Sequence, residues 1–333
     1  MNSRSAALGT DPIARLLGRL ALPAIASLLV NATYNVADSI FVGRFVGTDG
    51  LAAVGLNFPL NIFLISVGIL VGVGAGALIS RRLGAADAAG ADRAFGSALV
   101  LLLASGLLVT VSGLVFAEPI LRVLGASADV LPLARSYFLV VAGGSGLVVA
   151  NQALNNLVYS EGAGHVGFSA LTLSSITNIL LDLWFIGGLG WGVQGAALAT
   201  VISQGLATLL LLIWFGSTRS QLKLGLCWCP PDMVEILRVG ISASVRTLTV
   251  VLLGVVVNLQ AGRVSGDLGV AVASVVFRVV SLVVLPAFGV NQAFLPVAAF
   301  NYGARRYQRT VQAVWQALLL ALVICYIATV LVI

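Results

Sequence analysis

Two carboxylates stand out by where they fall. Asp38 lies in the run YNVADSIFVGR and Asp182 in NILLDLWFIGG, each flanked by apolar sequence on both sides. A carboxylate at the centre of a membrane helix costs roughly 2.5–3.5 kcal/mol on insertion scales, so an acid placed there has chemistry to do. Asn178 precedes Asp182 by one helical turn and shares its face of the helix. Thr200 enters its own apolar run to a similar depth. At 1.5 Å per residue, Asp38, Asp182 and Thr200 sit roughly 10–12 Å below one membrane surface, so a single pocket can hold all three. Two carboxylates, an amide and a hydroxyl form an oxygen-rich set. It suits a hard cation, or a proton shared between the acids. Asp38, Asn178, Asp182 and Thr200 are therefore the candidate residues to bind that cation or proton.

Further polar residues lie in apolar runs. Asn31, Tyr34, Asn35 and Asp38 recur at spacings that make one helical stripe, and Tyr137, Asn151 and Asn155 dot another apolar segment. These, with Arg246 and Arg278, are candidates for lining a substrate cavity. The competing role for each Asn is to join helices through interhelical hydrogen bonds. The two arginines would either face an anionic group or pair with acids on helices absent from this sequence. Pro23 lies about four turns below Asp38, where it would either bend the helix or begin it. Gly72, Gly74 and Gly76 follow no strand, so close helix packing explains them better than a nucleotide loop.

The elements that position these residues follow from composition. The 333 residues are 59% hydrophobic and 9% charged, with mean hydropathy +1.08, which fits no water-soluble domain. Runs such as 58–79 and 130–154 are long enough to cross a bilayer, which takes about 20 helical residues. The chain reads as an all-α polytopic membrane protein. Nine spans are predicted, near 20–46, 55–79, 94–117, 131–157, 168–188, 193–215, 236–261, 269–298 and 311–333. With the N-terminus cytoplasmic, twelve Lys and Arg fall on the cytoplasmic side and four outside, in keeping with the positive-inside rule. The net charge of +6 is then a topology signal, and its scatter over short loops argues against nucleic-acid binding. Cys227, Cys229 and His165 supply too few ligands for a metal centre. No organic cofactor is implied.

The chain also repeats itself. GRFVGTDGLAAV at 43–54 returns as GRVSGDLGVAVA at 262–273, and the offset of 219 persists without gaps. Ala24, Gly43, Arg44, Phe58, Gly84 and Ala98 meet Ala243, Gly262, Arg263, Phe277, Gly303 and Ala317. A duplicated six-span unit is expected, both copies crossing the membrane in the same direction. Residues 1–219 would form a six-helix N-terminal lobe, and 220–333 the first three helices of a C-terminal lobe. By the same offset a complete second copy would end near residue 438, so the chain reads as truncated; a genuine nine-span protein is the alternative.

YNVADSIFVGR, LISRRLGA, NILLDLWFIGGLGWGVQGAALAT and PAFGVNQAFLPVAAFNYGA together resemble the multidrug and toxic compound extrusion (MATE) family, over essentially the whole chain to the ninth of that family's twelve helices. The resemblance implies two six-helix lobes in a V. It also implies a monomer in the cytoplasmic (inner) membrane, exporting amphipathic, often cationic compounds against a Na⁺ or H⁺ gradient. The family's N-lobe cation site, carried over residue by residue, falls on Asp38, Asn178, Asp182 and Thr200, and its bending proline on Pro23. Some members carry an essential acid in helix seven, where this chain has Arg246 and no acid; Val257 is the repeat partner of Asp38. Coupling is thus expected in the N-terminal lobe, the ion and the drug competing. The alternatives are a lipid-linked oligosaccharide flippase of the same broad fold group and, more distantly, a membrane-embedded transferase.

Overall fold

The computed structural model describes residues 3–332, with side chains described at all of these except 3–6, 251, 255, 258, 262, 266–271, 274, 275, 277, 278, 282, 331 and 332. Every element among the described residues is helical. This is what a bilayer demands, because helices satisfy their backbone hydrogen bonds internally. In chain order they are α1 (Ser3–Thr10), α2 (Ile13–Phe45), α3 (Thr48–Leu56), α4 (Phe58–Gly84), α5 (Ala88–Val115), α6 (Ala117–Val123), α7 (Leu131–Gly143), α8 (Ser145–Ser160), α9 (Gly164–Asp182), α10 (Gly192–Gly216), α11 (Pro230–Gly303) and α12 (Tyr307–Val332). A π-helical turn, Leu183–Gly188, extends α9. Among the described residues, eight helices are long and apolar enough to span a membrane, and α7 with α8, bent by 54°, make a ninth if they form one span.

Two differences from the sequence expectation bear on function. The first long helix begins at Ile13, well before the expected start near 20, so Pro23 is a helix-interior residue and not a helix-start proline. Ser27 Oγ donates to the Pro23 carbonyl at 2.7 Å. Helices α1 and α6 are too short for any bilayer-length hydropathy window, which is why an apolar scan passes over them.

Helix α4 lies at the centre, and its glycines set how close its neighbours come. A Cβ on Gly72 would fall 2.7 Å from the Ala153 Cα of α8, and one on Gly74 would fall 2.0 Å from the Ile236 carbonyl oxygen of α11. The close-packing role expected for this Gly run is the one the structure gives it.

Helix α11 has 74 residues and would measure about 110 Å if straight. It is not straight. Glu235 and Val239 near its start share a groove with Leu295, Ala298 and Tyr302 near its end. The chain therefore reverses between two apolar arms, Pro230–Ser265 and Val279–Gly303.

The 219-residue repeat is visible in the backbone. Ala86 has φ 59° and Arg305 φ 57°, left-handed conformations at equivalent positions. Around them the same hydrogen bonds recur: Asp87 N to Arg82 O and Arg306 N to Asn301 O, both 2.9 Å. A non-glycine residue in this region costs about 1–2 kcal/mol, so a loop built this way twice is a shared design.

At the end of the bundle that carries these loops, the two arms of α11 pack against α4 and α2. Gly240 meets the Leu70 carbonyl and Gly289 meets Ile25. Toward the other end the cover is lost: Val36 and Ile40 of α2, and Val245, Val250 and Leu253 of α11, are all at least half exposed.

Candidate functional site

Asp38 comes from the upper half of α2 and Asp182 from the last position of α9. Their carboxyl groups face each other closely enough to share a hydrogen bond once one of them is protonated. Asp182 is 0% exposed and Asn178, one turn earlier, 1%. Among the described residues, neither oxygen of Asp182, Oδ1 of Asp38, nor either amide atom of Asn178 has a hydrogen-bond partner. A buried polar group without a partner costs about 1–3 kcal/mol, more when charged. Five such atoms lie together on α2 and α9, an arrangement whose missing partners a proton or a cation could supply.

The local backbone contributes. Immediately after Asp182 the helix widens into the π turn, where Leu189 N reaches back to Trp184 O at 2.8 Å. Single π turns occur disproportionately at functional sites. Phe185 of this turn is buried between Trp184 and Trp191, with ring centroids 5.3 and 5.0 Å away, an aromatic stack that follows Asp182 in the chain.

Two tyrosines complete the surroundings. Tyr34 stands beside Asn31 and Asn35, and buried Tyr137 beside Asn61; both lie near enough to Asp38 and Asp182 to feel their charge. Asn61, on α4, is absent from the sequence-derived set. Its only signal would have been an Asn inside the apolar run 58–79, and nothing in the sequence links it to Tyr137, 76 positions away. Asn35 turns back on its own helix, donating to Asn31 O at 2.8 Å and Oδ1 at 3.1 Å. Thr200, half-buried on α10, donates to the Ala196 carbonyl at 3.1 Å, which leaves its lone pairs to accept or coordinate.

Other sequence candidates serve different ends. Asn151 donates to Gln204 O of α10 at 3.4 Å. Asn155 donates to Gly167 O of α9 at 3.1 Å and accepts from Gln292 of α11 at 3.4 Å. Both tie helices together, the competing role weighed for Asn. Arg246 is exposed and its guanidinium lies 5.9 Å from the Phe288 ring centroid, a cation–π contact between the two arms of α11. The side chain of Arg278 lies outside those described.

One buried acid escaped the sequence reading. Glu161, after α8, accepts from Ser220 Oγ at 2.7 Å, from Gln221 N and Leu222 N at 2.9 Å, and from Trp214 Nε1 at 3.2 Å. Burial pushes its carboxyl above the usual range, against the pull of these donors. It lies outside the membrane-spanning helices and pins the linker after α10 to the turn between α8 and α9.

Comparison with known proteins places these features in context. The model of the MatE family matches residues 23–184 and 243–333. Over 323 residues the chain is 28% identical to the multidrug export protein MepA of Staphylococcus aureus strain N315, spanning 96% of this chain and 71% of that protein. A solved structure described as the outward-facing conformation of a multidrug resistance MATE family transporter of the MOP superfamily superposes with TM-score 0.92 at 31% identity, over 97% of this chain and 72% of that one. A crystal structure of MATE in complex with MaD3S gives TM-score 0.92 at 31% identity, over 97% and 73%.

Proposed function

This chain belongs to the MatE family of multidrug and toxic compound extrusion transporters, and we propose that it exports amphipathic, often cationic compounds in exchange for H⁺ or Na⁺ taken up between Asp38 and Asp182. The observation that carries this reading is the facing pair of carboxylates, with Asn178, held among helices without partners of their own. In the outward-open state the coupling ion enters from outside, helped by Tyr34 and Tyr137 beside the pair, with Thr200 as a further oxygen donor. Neutralising the pair lets α2 repack, and Pro23, inside that helix, is where a bend costs least. The repacked helix releases the drug outward. The return half of the cycle delivers the ion to the cytoplasm.

The same reading gives the rest of the topology. The N-terminus and the Arg81, Arg82, Arg305 and Arg306 loops face the cytoplasm, and nine spans cross the inner membrane. Residues 1–219 move against 220–333 as two lobes. A flippase of lipid-linked sugars would want a basic central cavity; the guanidinium of Arg246 rests over Phe288 instead.

The test is efflux of a fluorescent cationic dye from vesicles, with Na⁺ and pH gradients imposed separately. One gradient should drive efflux, and Asp38→Asn should abolish it at unchanged protein level. Undiminished efflux by that variant under both gradients refutes the coupling role.

A further inference from the structure

We infer that the two copies of the repeated loop form a reciprocal clasp that holds the cytoplasmic side of the transporter shut, with the ion pairs of Arg81 and Arg82 as its releasable half.

The crossing at its centre is reciprocal to the atom. A Cβ on Gly84 would fall 1.9 Å from the Phe300 carbonyl oxygen, and one on Gly303 would fall 1.9 Å from the Arg81 carbonyl oxygen. Residues 84 and 303, like 81 and 300, are related by the same offset of 219. Each glycine Cα–H therefore points at the other copy's carbonyl, in the manner of small-residue helix crossings. The two helix ends meet backbone to backbone with nothing between them.

From this crossing each loop reaches toward the start of the other half. Arg82 binds both carboxylate oxygens of Asp232, with Nη1 to Oδ2 at 2.8 Å, and Nη1 also donates to Gly90 O at 2.7 Å. Arg81 Nη2 pairs with Glu235 Oε1 at 2.5 Å. Both acids lie in the first two turns of α11. In the mirror arrangement Asn301 donates to Leu8 O at 3.0 Å, Arg306 to Gly9 O at 2.5 Å and Arg309 to Asp11 O at 2.7 Å. The geometry is shared and the chemistry is not. One side joins charge to charge; the other joins charge or amide to the free carbonyls at the end of α1.

That difference decides which side must let go. Helix α1 is joined to α2 by the two-residue linker Asp11–Pro12 and packs more on α11 than on α2, so it can travel with the α11–α12 loop while α2 tilts away. Asp232 and Glu235 have no such slack, because they belong to a long helix packed directly on α4. Separating α4 from α11 breaks both of their ion pairs. A bidentate, mostly buried Arg–Asp pair is geometrically specific and re-forms in one register, which is what a latch requires. Behind it Ile236 is 0% exposed, with its carbonyl against Gly74.

Alkylation of a cysteine at this seam tests the clasp without requiring transport, ion or drug, so its outcome is independent of the coupling reading. The reporter is Ile236→Cys in a full chain carrying Cys227→Ser, Cys229→Ser and Cys325→Ser. The readout is the labelling rate by a membrane-impermeant maleimide in inside-out vesicles. Slow labelling is expected in this background and about tenfold faster labelling in Arg82→Glu, as expected for loss of a partly buried ion pair. The charge swap Arg82→Glu with Asp232→Arg should restore the slow rate, and Arg306→Gln should leave it within about twofold. An unchanged rate in Arg82→Glu overturns the proposal. So does a swap that labels as fast as the single variant, since that is a packing defect and not a lost ion pair. Should Arg82→Glu fail to accumulate, Arg82→Gln and Asp232→Asn serve in its place, and both must accelerate labelling.

Discussion

Positions 84 and 303 carry glycine in both copies of the repeat, whereas positions 38 and 257 carry aspartate and valine. The first pair sits where the halves touch, the second inside apolar helical segments. Asp38 faces Asp182 in a polar pocket, while Val257 lines an apolar groove with Val256, Ala261 and Val264. Backbone contact across a pseudo-twofold crossing has to be matched from both sides, so the two copies stay alike there. A buried charge needs only one home, and a second would repeat its desolvation cost. Symmetry survives at the contact between the halves and is lost at the chemistry. The loops show a middle case, in which the left-handed φ of Ala86 and that of Arg305 agree to within a few degrees while Arg82 becomes Asn301 and Asp87 becomes Arg306.

The comparison can be broken most strongly at the acids. Asp38→Asn or Asp182→Asn should reduce dye efflux to background at normal expression, and Val257→Asp added to Asp38→Asn should not restore it. Recovery of efflux would mean that the second copy can host the site. The next effect in size tests the crossing. Gly84→Ala and Gly303→Ala each push a methyl into a backbone carbonyl, and each should cost about 3 kcal/mol, at the upper end for overpacking. The measurement is thermal unfolding in detergent. Losses that differ widely between the two would show that the crossing is not reciprocal.

A smaller loss separates the two clasps. Asp232→Ala should cost about 2 kcal/mol, because Arg82 is left partly buried without its partner. Asn301→Ala removes its donations to Leu8 O and Val297 O and the bond it accepts from Arg309 Nε, but it strands no charge without its counter-ion and should cost about 1 kcal/mol. The smallest effect concerns Glu161. Its raised pKa means that the folded chain keeps this proton to higher pH than the unfolded chain does. The stability it contributes is complete below the ordinary glutamate value, about 4.3, and is lost as pH rises through the folded value. Comparing unfolding of wild type and Glu161→Gln from acid to neutral pH, the difference should shift in favour of the variant.

Much of the site was legible because membrane placement makes some residues costly wherever the chain goes next. Asp38 and Asp182 announce themselves by falling in apolar runs, Asn178 by its one-turn spacing, and the repeated loop by its constant offset. These are properties of one segment at a time, or of two segments that resemble each other. Asn61 beside Tyr137, Glu161 beneath Ser220, and Asn155 committed to Gly167 and Gln292 are pairings between segments with no shared pattern, so no local rule announces them.

The sequence alone therefore determined the solvent, the helical class, the duplication and the family, because apolar length, charge placement and periodicity act locally and bilayer physics leaves few alternatives. Only the tertiary structure decided which polar residues meet. It turned the two acids toward each other, doubled α11 back on α4, and brought the second copy of the loop onto the N-terminal helix α1. The doubling of α11 onto α4 depends on how close the helices can approach, and that distance is set by Gly74, Gly84 and Gly240, whose partners Ile236, Phe300 and Leu70 lie more than 150 residues away in the chain.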